Sequence, residues 1–254
     1  MIVIGLGTGR SGTASLARLL NAQMDSLCFH EMNPSAIRFS GTPRPFLNAV
    51  DEFQAILDGG DPSMLTVDLS RAVAARAYDE LSRMPRVRLI GDIAFYYLTY
   101  VELLARHNPN VRFVCLRRDR EKTIRSWMRK SAIERWRSKR LADRVSSLIT
   151  RSPFHESRNF WMEHDGTSWQ KDPVWDKCFP KFRAASKLEA IAMYWDYYYE
   201  QAEAIAPRLR GVFRIVETER LDDGAFQSEL LEFCGVPREQ QVHIDAHIHR
   251  SAEE

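Results

Sequence analysis

The chain has 254 residues, 44% hydrophobic and 28% charged, with a formal net charge of +2, a balance ordinary for a globular chain forming one α/β domain over 1–254. No apolar run approaches the length of a membrane span, and the first residues read as a strand rather than a signal peptide. Cys28, Cys115, Cys178 and Cys234 are scattered without metal-ligand spacing; they read as free thiols of a reducing, cytoplasmic compartment, and no metal is expected.

Ile2–Leu6 is a β-branched run that predicts a first strand, followed by glycines at 5, 7, 9 and 12 and a helix over Gly12–Gln23. Ser26–His30 predicts a second strand, Asn48–Leu57 a helix, Met64–Val67 a short strand, and Arg71–Arg83 another helix. Val87–Ile90 and Val111–Leu116 are strand-like, with a helix over Tyr96–His107 between them. Ala184–Ala206 is the most periodic helix, its stripe formed by Leu188, Ile191, Trp195, Tyr198, Ala202 and Ile205. Val212–Val216 completes a set of about five strands. Strands alternating with helices predict a three-layer α/β sandwich with a mostly parallel central sheet. In such sheets ligands sit at the carboxyl ends of the strands, which places Gly7–Thr13, Glu31, Asp92 and Arg118 on one edge.

The stretch Gly7-Thr-Gly-Arg-Ser-Gly-Thr13 is a strand-to-helix loop suited to phosphate or sulfate, because glycine lets main-chain N–H groups approach an anion at a helix N-terminus. A nucleotide triphosphatase loop needs Lys and then Ser or Thr after its last glycine; Thr13 and Ala14 stand there instead. That excludes ATP or GTP hydrolysis. A dinucleotide fingerprint fits Gly7, Gly9 and Gly12, with Glu31 placed as a ribose-binding acid. An NAD(P)-dependent oxidoreductase is therefore one reading. Residues 117–144 carry twelve Lys or Arg against four Asp or Glu, which admits a second, a basic nucleic-acid-binding module.

The third reading rests on side chains. Gly9-Arg10-Ser11-Gly12-Thr13 resembles the phosphosulfate-binding loop of sulfotransferases, where a basic residue precedes Ser-Gly-Thr. Val111–Arg118 followed by Ser126 resembles the family's second signature, a strand ending in Arg with Ser eight residues later. Val212–Leu221, Phe226–Cys234 and Gly235-Val-Pro237 are similar to its C-terminal pattern, with Thr218 in place of the usual Tyr.

The resemblance implies a P-loop-like fold and transfer of a sulfuryl group from 3′-phosphoadenosine 5′-phosphosulfate to an acceptor hydroxyl or amine. Gly9, Arg10, Ser11, Gly12, Thr13 and Ala14 would hold the 5′-phosphate, Arg118 and Ser126 the 3′-phosphate. Arg10 would also stabilise the leaving group, since guanidinium groups bind phosphate through paired charged hydrogen bonds. Glu31 is the implied base, Asp92 the alternative, and Ile93 stands at or beside the place where small-molecule members carry a catalytic His. Small-molecule, carbohydrate, lipid and peptide acceptors all occur in the family; a nucleic-acid partner, a membrane span and a metal are not expected. Residues 131–182 read as a helical, aromatic insertion, with Phe154, Phe160, Trp161, Trp169, Trp175 and Phe179 forming either an acceptor lid or a core cover.

Overall fold

The computed structural model describes residues 1–34, 41–131, 145, 161, 164, 166, 167 and 175–245. Five short strands, β1 (Ile2–Leu6), β2 (Ser26–His30), β3 (Leu89–Ile93), β4 (Val111–Arg117) and β5 (Phe213–Glu217), form one sheet in the order β2-β3-β1-β4-β5. Every pairing is parallel, so the connections must cross over the sheet faces and the strands must be apolar on both sides. They are. Ile2, Ile4, Leu6, Leu27, Phe29, Ile90, Phe113, Cys115 and Phe213 belong to one core cluster. Val3, Cys28, Leu89, Ile93, Val114, Leu116 and Val216 belong to the other. The period-2 alternation of β residues thus builds two cores back to back.

The first core is covered by α2 (Arg44–Leu57), α3 (Ala72–Leu81), α4 (Val101–His107), α5 (Arg120–Ser131) and α6 (Lys187–Ile205). The second is covered by α1 (Thr13–Asn21) and α7 (Gly224–Phe233) through Leu16, Leu19, Leu20, Phe226, Leu230 and Leu231. This is the expected three-layer sandwich.

Local departures from the expected elements have physical causes. Met64–Val67 is not a strand: Pro62–Met64 forms a 3-10 turn capped by Asp61, whose carboxylate accepts the Ser63 N–H at 2.7 Å. Thr66 then spends its N–H and hydroxyl on Glu52 rather than on a sheet neighbour. Helix α2 starts at Arg44 rather than Asn48, with proline in its first turn where a missing N–H costs nothing. Phe95–Tyr100 is 3-10 helix before α4 begins. Leu188 leaves the α6 stripe and is 51% exposed.

One close approach governs the sheet. Gly91 pairs with Val3 across β3 and β1, and a Cβ there would run into the Val3 carbonyl. Backbone cannot step aside as a flexible side chain can. Gly91→Ala is therefore expected to lower unfolding stability by about 3 kcal/mol, the upper range for overpacking, read as a shifted urea midpoint at unchanged slope. A wild-type midpoint would show that β1 and β3 can separate freely.

Candidate active site

The glycine loop leaves β1 at Leu6 and enters α1 at Thr13. Gly9, Arg10 and Gly12 all have left-handed backbone, with φ of 73°, 60° and 90°. A Cβ on Gly9 would lie 2.7 Å from the Trp127 ring, and one on Gly12 would strike the Thr218 side chain. The loop is thus pressed between α5 and the segment after β5. Hydrogen bonds to Tyr198, Thr218 and Arg118 help to fix it. The Gly7 N–H donates to the Tyr198 hydroxyl (2.9 Å), which itself donates to the Phe95 carbonyl (3.0 Å). Thr218 donates to the Ser11 carbonyl at 2.6 Å, and Arg118 Nη1 to the Arg10 carbonyl at 3.1 Å.

With those carbonyls turned outward, the N–H groups of Arg10, Ser11, Gly12, Thr13 and Ala14 make no hydrogen bond among the described residues. Helix α1 also lacks a side-chain cap at Gly12, whereas α6 and α7 are capped by Ser186 and Asp223. Free N–H groups at an uncapped helix start are an anion site.

The arginines sort into two sets. Arg117 pairs with Glu217 and Glu203, both at 2.7 Å, and Arg120 pairs with Asp196 and Glu121. These tie β4, β5, α5 and α6 together. Arg10, Arg118 and Arg129 have no carboxylate partner among the described residues. Arg10 Nε donates instead to Ser126 Oγ at 3.0 Å. Partial burial first, then repulsion from Arg118 and Arg129, pushes the Arg10 guanidinium below its ordinary value.

On the other side of the loop lie the ends of β2 and β3. His30 Nε2 and Thr13 Oγ1 are 3.0 Å apart, so His30 reaches the loop across β3. Glu31 leaves the strand with φ of 56°, its N–H donating to the Ile93 carbonyl. Its Oε2 accepts from Arg71 Nη2 at 2.9 Å, and its Oε1 has no partner among the described residues. Asp92 is fully buried: Oδ1 accepts the Met32 N–H, and Oδ2 accepts the hydroxyls of Tyr96 and Tyr97, all at 3.0 Å. Burial pushes its carboxyl up, against the pull of those hydrogen bonds and of His30.

The loop, Arg118, Ser126, His30, Glu31 and Asp92 therefore share one edge of the sheet. Tyr194 does not join them; its ring packs against Phe179, Trp161 and Tyr198. The residues that sequence reasoning missed are Tyr198, Thr218 and Arg71. Tyr198 was legible only as core, and Thr218 only as a departure from a pattern. Most of the aromatic stretch 131–182 lies outside the described residues, and with it the choice between lid and cover. Trp161 and Phe179 are buried core residues.

Strand order decides against the dinucleotide reading. In that fold β2 adjoins β1, so that its terminal acid meets the ribose. Here β3 intervenes, placing the end of β2 two strand spacings, about 10 Å, from β1. The basic stretch is also less available than its composition suggests, since Arg117 and Arg120 are committed to carboxylates; residues 132–144 lie outside the described residues. Among the described residues no group of His, Cys, Asp and Glu is placed to hold a metal, and no helix is long and apolar enough to cross a membrane.

No curated protein matches the chain. Among solved structures, a sulfotransferase from Alicyclobacillus acidocaldarius aligns at 14% identity over 98% of this chain and 86% of that chain, with a TM-score of 0.45. The sulfotransferase domain from the curacin biosynthetic pathway aligns at 17% identity over 93% and 74%, with a TM-score of 0.42. Residues 2–170, which hold the loop, Glu31, Asp92, Arg118 and Ser126, match the sulfotransferase family, and the chain belongs to that family.

Proposed function

We propose that the protein moves a sulfuryl group from 3′-phosphoadenosine 5′-phosphosulfate to an acceptor hydroxyl or amine. The observation that carries this reading is the row of five N–H groups from Arg10 to Ala14 that make no hydrogen bond among the described residues, flanked by guanidinium groups with no carboxylate partner among them. A polyanion offsets both. Glycine at positions 9 and 12 keeps the cradle in this shape, because a side chain there would meet Trp127 or Thr218.

The bound donor supplies a sulfuryl group whose transfer leaves negative charge on the bridging oxygen of the 5′-phosphate. The loop N–H groups and the Thr13 hydroxyl hold that phosphate. Arg10 stabilises the developing charge, an interaction that strengthens in the transition state. Arg118 and Ser126 grip the 3′-phosphate; the Ser126 hydroxyl can accept from Arg10 and still donate to phosphate oxygen. Glu31 takes the acceptor proton through its open Oε1, while Arg71 fixes the carboxylate through Oε2. Asp92 has no free oxygen and serves the turn, not the acceptor.

Calorimetry tests the donor site. Wild-type protein should bind adenosine 3′,5′-bisphosphate and not NAD. Arg118→Ala should cost about 2–4 kcal/mol of bisphosphate affinity, the range for a lost charged contact in a binding site, and little for adenosine 5′-phosphate. Equal losses for both ligands would assign Arg118 to structure alone.

Turnover, measured as bisphosphate released from donor in the presence of an acceptor mixture, tests the chemistry. Glu31→Gln should slow it by roughly 10²–10⁴-fold with bisphosphate affinity retained. Arg10→Ala should lower turnover more than donor affinity. If Glu31→Gln turns over like wild type, the base lies elsewhere, with His30 the nearest candidate.

A further inference from the structure

Helix α5 carries more of the donor site than Ser126. Arg129 follows Ser126 by three residues, close to one turn, and so lies on the same helix face. It is exposed, and no carboxylate among the described residues pairs with it. Arg120, at the start of the same helix, is instead locked by Asp196 and Glu121. Lys130, the next residue, lies over the Trp127 ring at 5.1 Å. Arg118 arrives from the end of β4 with Nη1 on the Arg10 carbonyl, and Ser126 meets Arg10 Nε. Arg10 thus sits among two further guanidinium groups supplied by different elements, and Arg129 is close enough to act on its charge. Three like charges with no carboxylate partner among the described residues repel one another unless an anion joins them.

We infer that Arg129 is a third guanidinium of the donor site, binding the same phosphate as Arg118 and Ser126 and selecting nucleotides that carry a second, dianionic phosphate over nucleoside 5′-monophosphates. The inference rests on the donor reading above. A phosphate dianion has three oxygens to satisfy, and donors from β4, mid-α5 and the next turn of α5 reach it from separate directions.

The test is calorimetry of adenosine 3′,5′-bisphosphate and adenosine 5′-phosphate against wild type, Arg129→Ala, Arg129→Lys and Arg106→Ala. Arg106 is exposed in the last turn of α4, just before β4 begins, at the sheet edge opposite the glycine loop. Its loss removes the same unit of charge without touching the site. Arg129→Ala should weaken the bisphosphate about tenfold or more, the worth of a charged contact, and the monophosphate by less than about threefold. Arg106→Ala should change each by less than about threefold, as a screened surface charge does. Partial recovery in Arg129→Lys would support direct contact. Equal losses in the Arg129 and Arg106 variants, or equal losses for both nucleotides, would overturn the inference. Wild-type binding of bisphosphate with Arg129→Ala unchanged overturns it alone; a wild type indifferent to bisphosphate overturns the donor reading with it.

Discussion

The site depends on the direction of two carbonyl groups. Thr218 and Arg118 draw the Ser11 and Arg10 carbonyls away from the start of α1, and a peptide plane that turns its carbonyl outward turns its N–H the other way. Left-handed backbone at Arg10, a non-glycine residue, costs about 1–3 kcal/mol. Each of the hydrogen bonds that fix the loop contributes about 0.5–1.5 kcal/mol, and more where a guanidinium donates. Strain and tethering are therefore of similar size, and the open conformation is held before any ligand arrives. Thr218 serves twice, since its methyl also occupies the space a side chain at position 12 would need.

Charge follows the same division between scaffold and site. Glu217, Glu203, Asp196 and Glu121 neutralise Arg117 and Arg120, whose role is to fasten α5 and α6 to the sheet. None of these acids reaches Arg10 or Arg118. The chain is nearly neutral overall, yet local placement brings Arg10 and Arg118 together with no carboxylate partner among the described residues. Composition cannot report such a placement, because it depends on which arginines the fold pairs.

Much of this was legible in the sequence, for identifiable reasons. The β-branched run before Gly7 and the leucines of α1 fix strand, loop and helix locally, so the cradle could be read without tertiary information. Arg118 and Ser126 were legible because their spacing lies within one strand-to-helix unit. Neighbouring Arg117 looks equivalent in sequence and is separated from Arg118 only by its facing of Glu217 across β4 and β5. Tyr198 reads as one member of an apolar stripe, since periodicity reports burial and is silent about where a hydroxyl goes. Strand order was equally hidden: the fingerprint glycines suit β1 beside β2 or β1 beside β3, and only the second arrangement is built.

Asp92 shows what a buried acid does for a turn. At the end of β2 the chain turns out of the sheet through left-handed Glu31, and the Met32 N–H loses its place in the ladder. A buried donor left unsatisfied costs about 1–3 kcal/mol. An apolar residue at position 92 would leave it so, along with the Tyr96 and Tyr97 hydroxyls. A carboxylate accepts all three, which no neutral side chain of that size can do. Desolvation of Asp92 is thus the cost of holding the turn, and the turn presents Glu31 to Arg71 with one oxygen still open. The acid with an open oxygen among the described residues is Glu31, and the acid that makes its position possible is the one sealed beneath it.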